Sequence, residues 1–202
     1  MDKLERLKEI ILEKSFEYRE DASFKLSSGA KSQFYFDCKK TTLDPEGSAL
    51  IGELLLSIVK EKFPDIVGAG GLTLGADPMG AALMHHAWFH GKKIFHFIVR
   101  KELKKHGSIK WIEGNVKPGD PVLILDDVVT TGGSVIKAIE RCKEDGLRIE
   151  GVTVLIDREE FDGLKKIKTA IHGKPVVAMI TRSEIMSLYS TLPKNNIKLA
   201  YA

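Results

Sequence analysis

The sequence predicts an α/β fold with a central, mostly parallel sheet flanked by helices, and three observations carry that prediction. Helical patterns alternate with short apolar runs along the chain, the order of a sheet with crossover helices. Residues 122–125, Val-Leu-Ile-Leu, form a β-branched and aliphatic run between Pro121 and two acids, as in a strand buried on both faces. No internal repeat, low-complexity segment or interdomain linker interrupts the 202 residues, so a single domain over 1–202 is expected.

In order, an amphipathic helix over 3–14 leads into extended segments at 22–26 and 33–37, separated by the turn Ser27-Ser28-Gly29. Asp44-Pro45 starts a helix reaching residue 62, since Asp satisfies the first free amides and Pro is tolerated in the first turn. A strand at 66–69, a helix from Asp77-Pro78 to 89 and a strand at 93–99 follow, and 100–118 reads as a polar connector. After 122–125 come a helix over 135–143, a strand at 150–156, a short helix at 161–167, a strand at 175–180 and a final helix at 182–192. That makes five core strands.

Composition narrows the function classes. The chain is 43% hydrophobic, and its net charge of +3 comes from 31 basic and 28 acidic residues that are interspersed, which argues against a nucleic-acid surface. Cys38 and Cys142 lie far apart without metal-binding spacing and read as reduced thiols. Residues 1–13 are charged and amphipathic rather than a signal peptide, and no apolar run approaches a membrane span, so a cytoplasmic protein is expected.

The chemistry concentrates at 122–134, where the apolar strand ends in Asp126-Asp127 and continues Val128-Val129-Thr130-Thr131-Gly132-Gly133-Ser134 into a helix. Glycines let the backbone turn tightly and approach a ligand, hydroxyls add donors, and the free N–H groups of a helix start attract an anion. Two carboxylates beside a phosphate would repel it, so they are expected to accept hydrogen bonds from sugar hydroxyls, directly or through a cation. A sugar phosphate is the implied ligand. A Walker A loop would need a Gly-Lys-Ser/Thr ending, absent here, and a helix cap alone would need neither the acid pair nor two glycines.

This run resembles the 5-phosphoribosyl 1-diphosphate (PRPP) motif of type I phosphoribosyltransferases. The resemblance implies that family's five-stranded fold with a small hood, formed by the N-terminal segment and the C-terminal helix. It also implies that Asp126 and Asp127 hold the ribose hydroxyls while Thr130 to Ser134 hold the 5′-phosphate. In open α/β sheets ligands bind outside the carboxyl ends of strands, so the other strand exits complete the site. The glycine-rich stretch 68–78 sits where the family keeps its diphosphate loop.

The next exit, Arg100-Lys101-Glu102-Leu103-Lys104-Lys105-His106-Gly107, is similar to the active-site loop of orotate phosphoribosyltransferases. Phe24-x-Leu26-x-Ser28-Gly29-x-x-Ser32, followed by Phe34-Tyr35-Phe36-Asp37, resembles their orotate-binding segment, and Ile156-Asp157-Arg158-Glu159 the segment whose arginine meets the orotate carboxylate. The resemblance implies catalytic roles for Lys104, Arg100 and His106, and PRPP contacts from Arg100, Lys101, Lys104 and His106 as well as Asp126 to Ser134. It implies orotate contacts from Thr130, Arg158, Phe34 and Tyr35. Mg²⁺ is expected, held mainly by PRPP and water, with Asp126 and Asp127 reaching it through water. A homodimer with shared active sites is expected, the loop crossing the interface.

Two departures stand out. Many members carry a lysine where this chain has Ser27, and another in the diphosphate loop, where Leu72-Thr73-Leu74-Gly75 supplies none; Lys25 would share the face of Ser27 in an extended segment. Two other readings stay open: a phosphoribosyltransferase for a purine or uracil, and a PRPP-binding regulator. The chain length leaves no room for the nucleic-acid domain such regulators carry, nor for a fused orotidylate decarboxylase.

Overall fold

The computed structural model describes residues 2–21, 24–25, 31–103 and 110–192. Helix α1 (Lys3–Lys14) is capped by the Asp2 side chain, which accepts from the amide of Leu4, and buries Leu7, Ile10 and Ile11 on one face. Strand β1 (Phe16–Tyr18) follows, then β2 (Phe24–Lys25), β3 (Lys31–Ser32) and β4 (Phe34–Phe36). The β1 strand pairs antiparallel with β4, and β2 with β3. The Ser27-Ser28-Gly29 turn lies outside the described residues.

Helix α2 (Lys39–Thr42) is a single turn, and α3 (Pro45–Lys62) begins where the Asp44 side chain accepts from the amides of Glu46 and Gly47. Strand β5 (Gly68–Leu72), α4 (Ala76–Phe89), β6 (Phe95–Val99), β7 (Ile112–Gly114) and β8 (Pro121–Val129) come next. Helix α5 (Gly133–Glu144), β9 (Arg148–Asp157), α6 (Gly163–Ala170), β10 (Val176–Thr181) and α7 (Arg182–Thr191) complete the described chain.

The central sheet has the order β10-β9-β8-β5-β6-β7. Its first five members are parallel and correspond to the five expected strands. The sixth, β7, runs antiparallel to β6 at the edge and arises inside the stretch read as a polar connector. Three residues with one buried side chain are too few for a periodic signal.

Two strands run further than expected. Glycines 70 and 71 fall after the expected strand, in the stretch expected to be a loop, yet they lie inside β5, where a Cβ at Gly70 would collide with the carbonyl oxygen of Phe97 and one at Gly71 with that of Leu125. Strand β8 continues through Asp126 and Asp127 to Val129, since the long β9 keeps pairing with it as far as Val129 opposite Asp157.

Alternation along β8 divides the core. Leu123 and Leu125 face one cluster with Leu55, Val59, Met79 and Leu83, while Val122 and Ile124 face another with Ala138, Ile139 and Cys142. Each fully buried aliphatic side chain contributes about 1.5–3 kcal/mol relative to exposure, so a strand covered on both faces is held firmly in depth and register. Helix α7 starts with a capping box between Thr181 and Glu184, and Glu184 also pairs with Lys8 of α1 at 2.8 Å, tying the two helices together. Tyr189 of α7 packs against Phe16 and Tyr18 of β1, which closes a small aromatic layer with Phe34.

Candidate active site

Strand β8 delivers the acid pair and the turn after it to one place. Gly132 adopts a left-handed φ of +81°, and a Cβ there would come within 2.9 Å of the Gly163 carbonyl oxygen. Gly163 in turn leaves no room for a Cβ, which would sit 2.5 Å from the Thr130 oxygen. Both glycines are needed for the turn to nest against the start of α6. Helix α5 then begins with no side-chain cap, as does α4 at Gly75, whereas α1, α3 and α7 are capped by Asp2, Asp44 and Thr181. The N-cap residues of α4 and α5, Gly75 and Gly132, both line the cleft, so amides of these first turns that lack a side-chain cap lie where an anion could meet them.

These elements surround a cleft of about 440 Å³, lined along one side by the whole run from Asp126 to Ser134. Leu72 to Gly75 line it as well, with Lys39 and Lys101 adding positive charge. Gly75 lies so close to the acid pair that a Cβ would be 2.5 Å from Asp127 Oδ1 and 2.9 Å from Asp126 Oδ1. The loop is braced by Thr73, whose amide donates to the Val99 oxygen at 3.0 Å and whose hydroxyl donates to Asp77 Oδ2 at 2.6 Å.

Burial raises the carboxyl pKa of Asp126 well above its ordinary value, and the charge of Asp127 pushes it the same way. Asp126 is only 6% exposed and accepts a hydrogen bond from the Asp127 amide at 3.2 Å. Asp127 is also raised by burial, with Lys39 pulling in the opposite direction. An acid pair this poorly compensated gains from hydroxyl donors or a cation. Among the described residues no group of three or more His, Cys, Asp or Glu side chains converges as metal donors, so a cation here would complete its shell with ligand oxygens and water.

A second group of residues forms at the carboxyl end of β9. Arg158 is 5% exposed, and its Nη2 donates to Ser32 Oγ at 3.0 Å and to the Phe34 carbonyl at 2.9 Å. Glu160 Oε2 lies 3.0 Å from the same nitrogen, and Glu160 Oε1 accepts from Ser32 Oγ at 3.1 Å. Arg158 Nε is buried without a hydrogen-bond partner. Arg182, at the start of α7, stacks over the Phe34 ring at 4.8 Å and reaches Glu160 Oε1 at 3.6 Å. Phe34 turns toward Phe16 and Tyr18, whereas Tyr35 stacks on Phe24 at 5.5 Å, so neighbouring aromatics face opposite ways as a strand requires.

The expected residues therefore fall into three sets. Lys101 and Asp126, Asp127, Val128, Val129, Thr130, Thr131, Gly132, Gly133 and Ser134 line the cleft. Arg158 and Phe34 belong to the second group, Tyr35 faces away from it against Phe24, and none of the three lines that cleft. Arg100 turns its guanidinium to Glu113 Oε1 at 3.0 Å and to the Glu102 carbonyl. Lys104 and His106 lie outside the described residues. Lys25 is exposed on β2, and its comparison with Ser27 also lies outside them. Lys39, Glu160 and Arg182 were not anticipated. Lys39 sits in a plain Cys-Lys-Lys run, and only the turn of α2 carries it to the cleft.

No family profile matches the chain. The orotate phosphoribosyltransferase of Aquifex aeolicus is 43% identical over 182 residues, spanning 90% of this chain and 97% of the relative. The chain belongs to the orotate phosphoribosyltransferase family. Its fold agrees with this membership. The orotate phosphoribosyltransferase of Mycobacterium tuberculosis in complex with Fe(III) dicitrate superposes with a TM-score of 0.77 at 32% identity, covering 91% of this chain and 99% of that one. The same enzyme in complex with PRPP gives 0.74 at 30% identity, covering 92% and 99%. Among the described residues no helix is long and apolar enough to cross a membrane.

Proposed function

We propose that this chain transfers the 5-phosphoribosyl group of PRPP to orotate, forming orotidine 5′-monophosphate and diphosphate in de novo synthesis of UMP. The observation that carries this reading is the cleft itself, where a buried acid pair and an uncapped helix start lie on one strand exit. In this reading the amides and hydroxyls of Thr130 to Ser134 hold the 5′-phosphate, and Asp126 and Asp127 accept hydrogen bonds from the ribose hydroxyls. Lys101, Lys39 and the backbone at Leu72 to Gly75 face the diphosphate.

Arg158 receives the orotate carboxylate, for which a guanidinium offers a planar pair of donors. The glycosidic bond forms to a ring nitrogen as the bond between the anomeric carbon and diphosphate oxygen breaks; the electron pair of that bond leaves with diphosphate, and the proton of the ring nitrogen passes to water or to the departing diphosphate. Arg100, Lys104 and His106 are assigned to that departing charge, where fixed cations act most strongly. Mg²⁺ bound to PRPP, with Asp126 and Asp127 behind its waters, would supply further neutralisation of the diphosphate. We take the enzyme to be a cytoplasmic homodimer with shared sites, and the buried free thiols of Cys38 and Cys142 accord with a reducing compartment.

The test is loss of orotate absorbance with purified protein, PRPP and Mg²⁺, run beside uracil, adenine, hypoxanthine and guanine. Turnover of orotate alone is expected. Turnover of another base, or PRPP binding with no reaction, would overturn the assignment.

A further inference from the structure

Arg141 is a buried cation that the mechanism above does not use. It sits on α5, is 6% exposed, and has no ion pair with a described residue. Its Nη1 donates to the Arg100 carbonyl and its Nη2 to the Lys101 carbonyl at 2.8 Å. Its guanidinium lies 4.0 Å from the centre of the Trp111 ring. The Arg100 amide donates to the Trp111 carbonyl at 2.9 Å, so this one side chain touches the chain both where it leaves β6 and where it returns to β7.

A desolvated guanidinium without a carboxylate is costly, and it is tolerated only where its donors are well used. Here the planar fork meets two successive carbonyls, a match that the single ammonium of lysine cannot reproduce. The carbonyls concerned lie past the end of β6, where the ladder no longer accounts for them. The residue after Arg100 is Lys101, on the cleft wall. The helix that carries Arg141 is the one whose first turn faces the same cleft, about 12 Å away along the axis at 1.5 Å per residue.

We propose that Arg141 is a positioning residue for phosphoribosyl transfer: it clamps the backbone at Arg100 and Lys101 to α5, so that Lys101 and the phosphate-binding turn form one rigid unit. This rests on the reading that the cleft binds PRPP. The clamp acts on the diphosphate end of the substrate and not on the base.

The experiment compares R141M, R141K, K101A and the double variant R141M/K101A with the wild-type enzyme, by steady-state kinetics and by calorimetric titration with PRPP and Mg²⁺. Arg141→Met is expected to raise the PRPP KM about tenfold while the orotate KM stays within about twofold, because misplaced groups lose far more than their distance suggests. Arg141→Lys should recover less than half of that loss on a logarithmic scale. The double variant should be no weaker than the weaker single one, since Arg141 acts through Lys101. Effects that multiply, or a loss shared equally by both substrates, would assign Arg141 a purely structural role and overturn the proposal. Should Arg141→Met fail to fold, Trp111→Leu keeps the charge and removes only the ring; it is expected to raise the PRPP KM about threefold, and no change would count against the clamp. Wild-type protein that binds PRPP but turns over no orotate would sink the functional reading and leave the calorimetric test of Arg141 in force.

Discussion

The two halves of the site are built in opposite ways. The half assigned above to the sugar phosphate is written in consecutive residues, 126–134, and lines an open cleft, with two uncapped helix starts and an acid pair that lacks enough partners. The half assigned above to the base is assembled from positions 124 to 128 residues apart, and its groups are already bonded to one another through Arg158, Ser32, Phe34 and Glu160. One half waits for its ligand with unsatisfied groups, whereas the other must trade an internal partner for a substrate.

The difference is broken most severely at the acid pair. Asp127→Asn is expected to lower kcat/KM for PRPP about a hundredfold, the loss of a charged hydrogen bond to ribose. Asp126→Asn should do comparable damage while making the folded protein more stable. Its folded carboxyl pKa is raised, so the ionised group opposes folding. That opposition is absent below the unfolded value near 3.8 and grows as pH rises through the folded value. Thermal unfolding of Asp126→Asn and wild-type protein at pH 5 and pH 8 should show the variant ahead at both, by more at pH 8. A variant less stable than wild type would mean that Asp126 has a native partner worth more than its desolvation.

How legible each half was follows from the same contrast. A cleft lined by consecutive residues leaves its chemistry in one short string, so Asp126 to Ser134 could be picked out together. The parallel strands were legible too, because runs such as 122–125 are apolar on both faces. Gly70 and Gly71 were placed in a loop rather than a strand, since nothing local distinguishes a glycine needed for bending from one needed beneath a neighbouring strand. Strand β7 was hidden because its stability comes from pairing with β6 and from the Arg141–Trp111 contact, not from its own three residues. Lys39, Glu160 and Arg182 carried no sequence signal, as their importance comes from tertiary neighbours.

Arg158 sharpens the comparison from the other half. Arg158→Lys keeps the charge, and with it a donor for Ser32 and the Phe34 carbonyl, which Nη2 alone serves in the wild type, but loses the planar guanidinium whose remaining nitrogens could meet a carboxylate. The orotate KM should rise about tenfold with the PRPP KM unchanged, a split that assigns the residue to the base half alone. Equal rises in both would join the two halves into one coupled site.

The smallest expected effect is also the most discriminating. Glu160 Oε2 lies 3.0 Å from Arg158 Nη2 yet makes no properly oriented hydrogen bond, and Arg158 Nε beside it has none either. A substrate carboxylate therefore competes with a resident one that is held loosely, and Arg182, 3.6 Å from Glu160 Oε1, is placed to take over the displaced acid. Glu160→Gln removes the competitor's charge while keeping its shape and its contact with Ser32. The orotate KM should fall about threefold, since the desolvation of this buried and poorly oriented pair offsets most of its attraction, with little change in kcat. A rise instead would show that Glu160 orients Arg158 for the substrate, and that the base half, like the sugar-phosphate half, is preformed rather than exchanged.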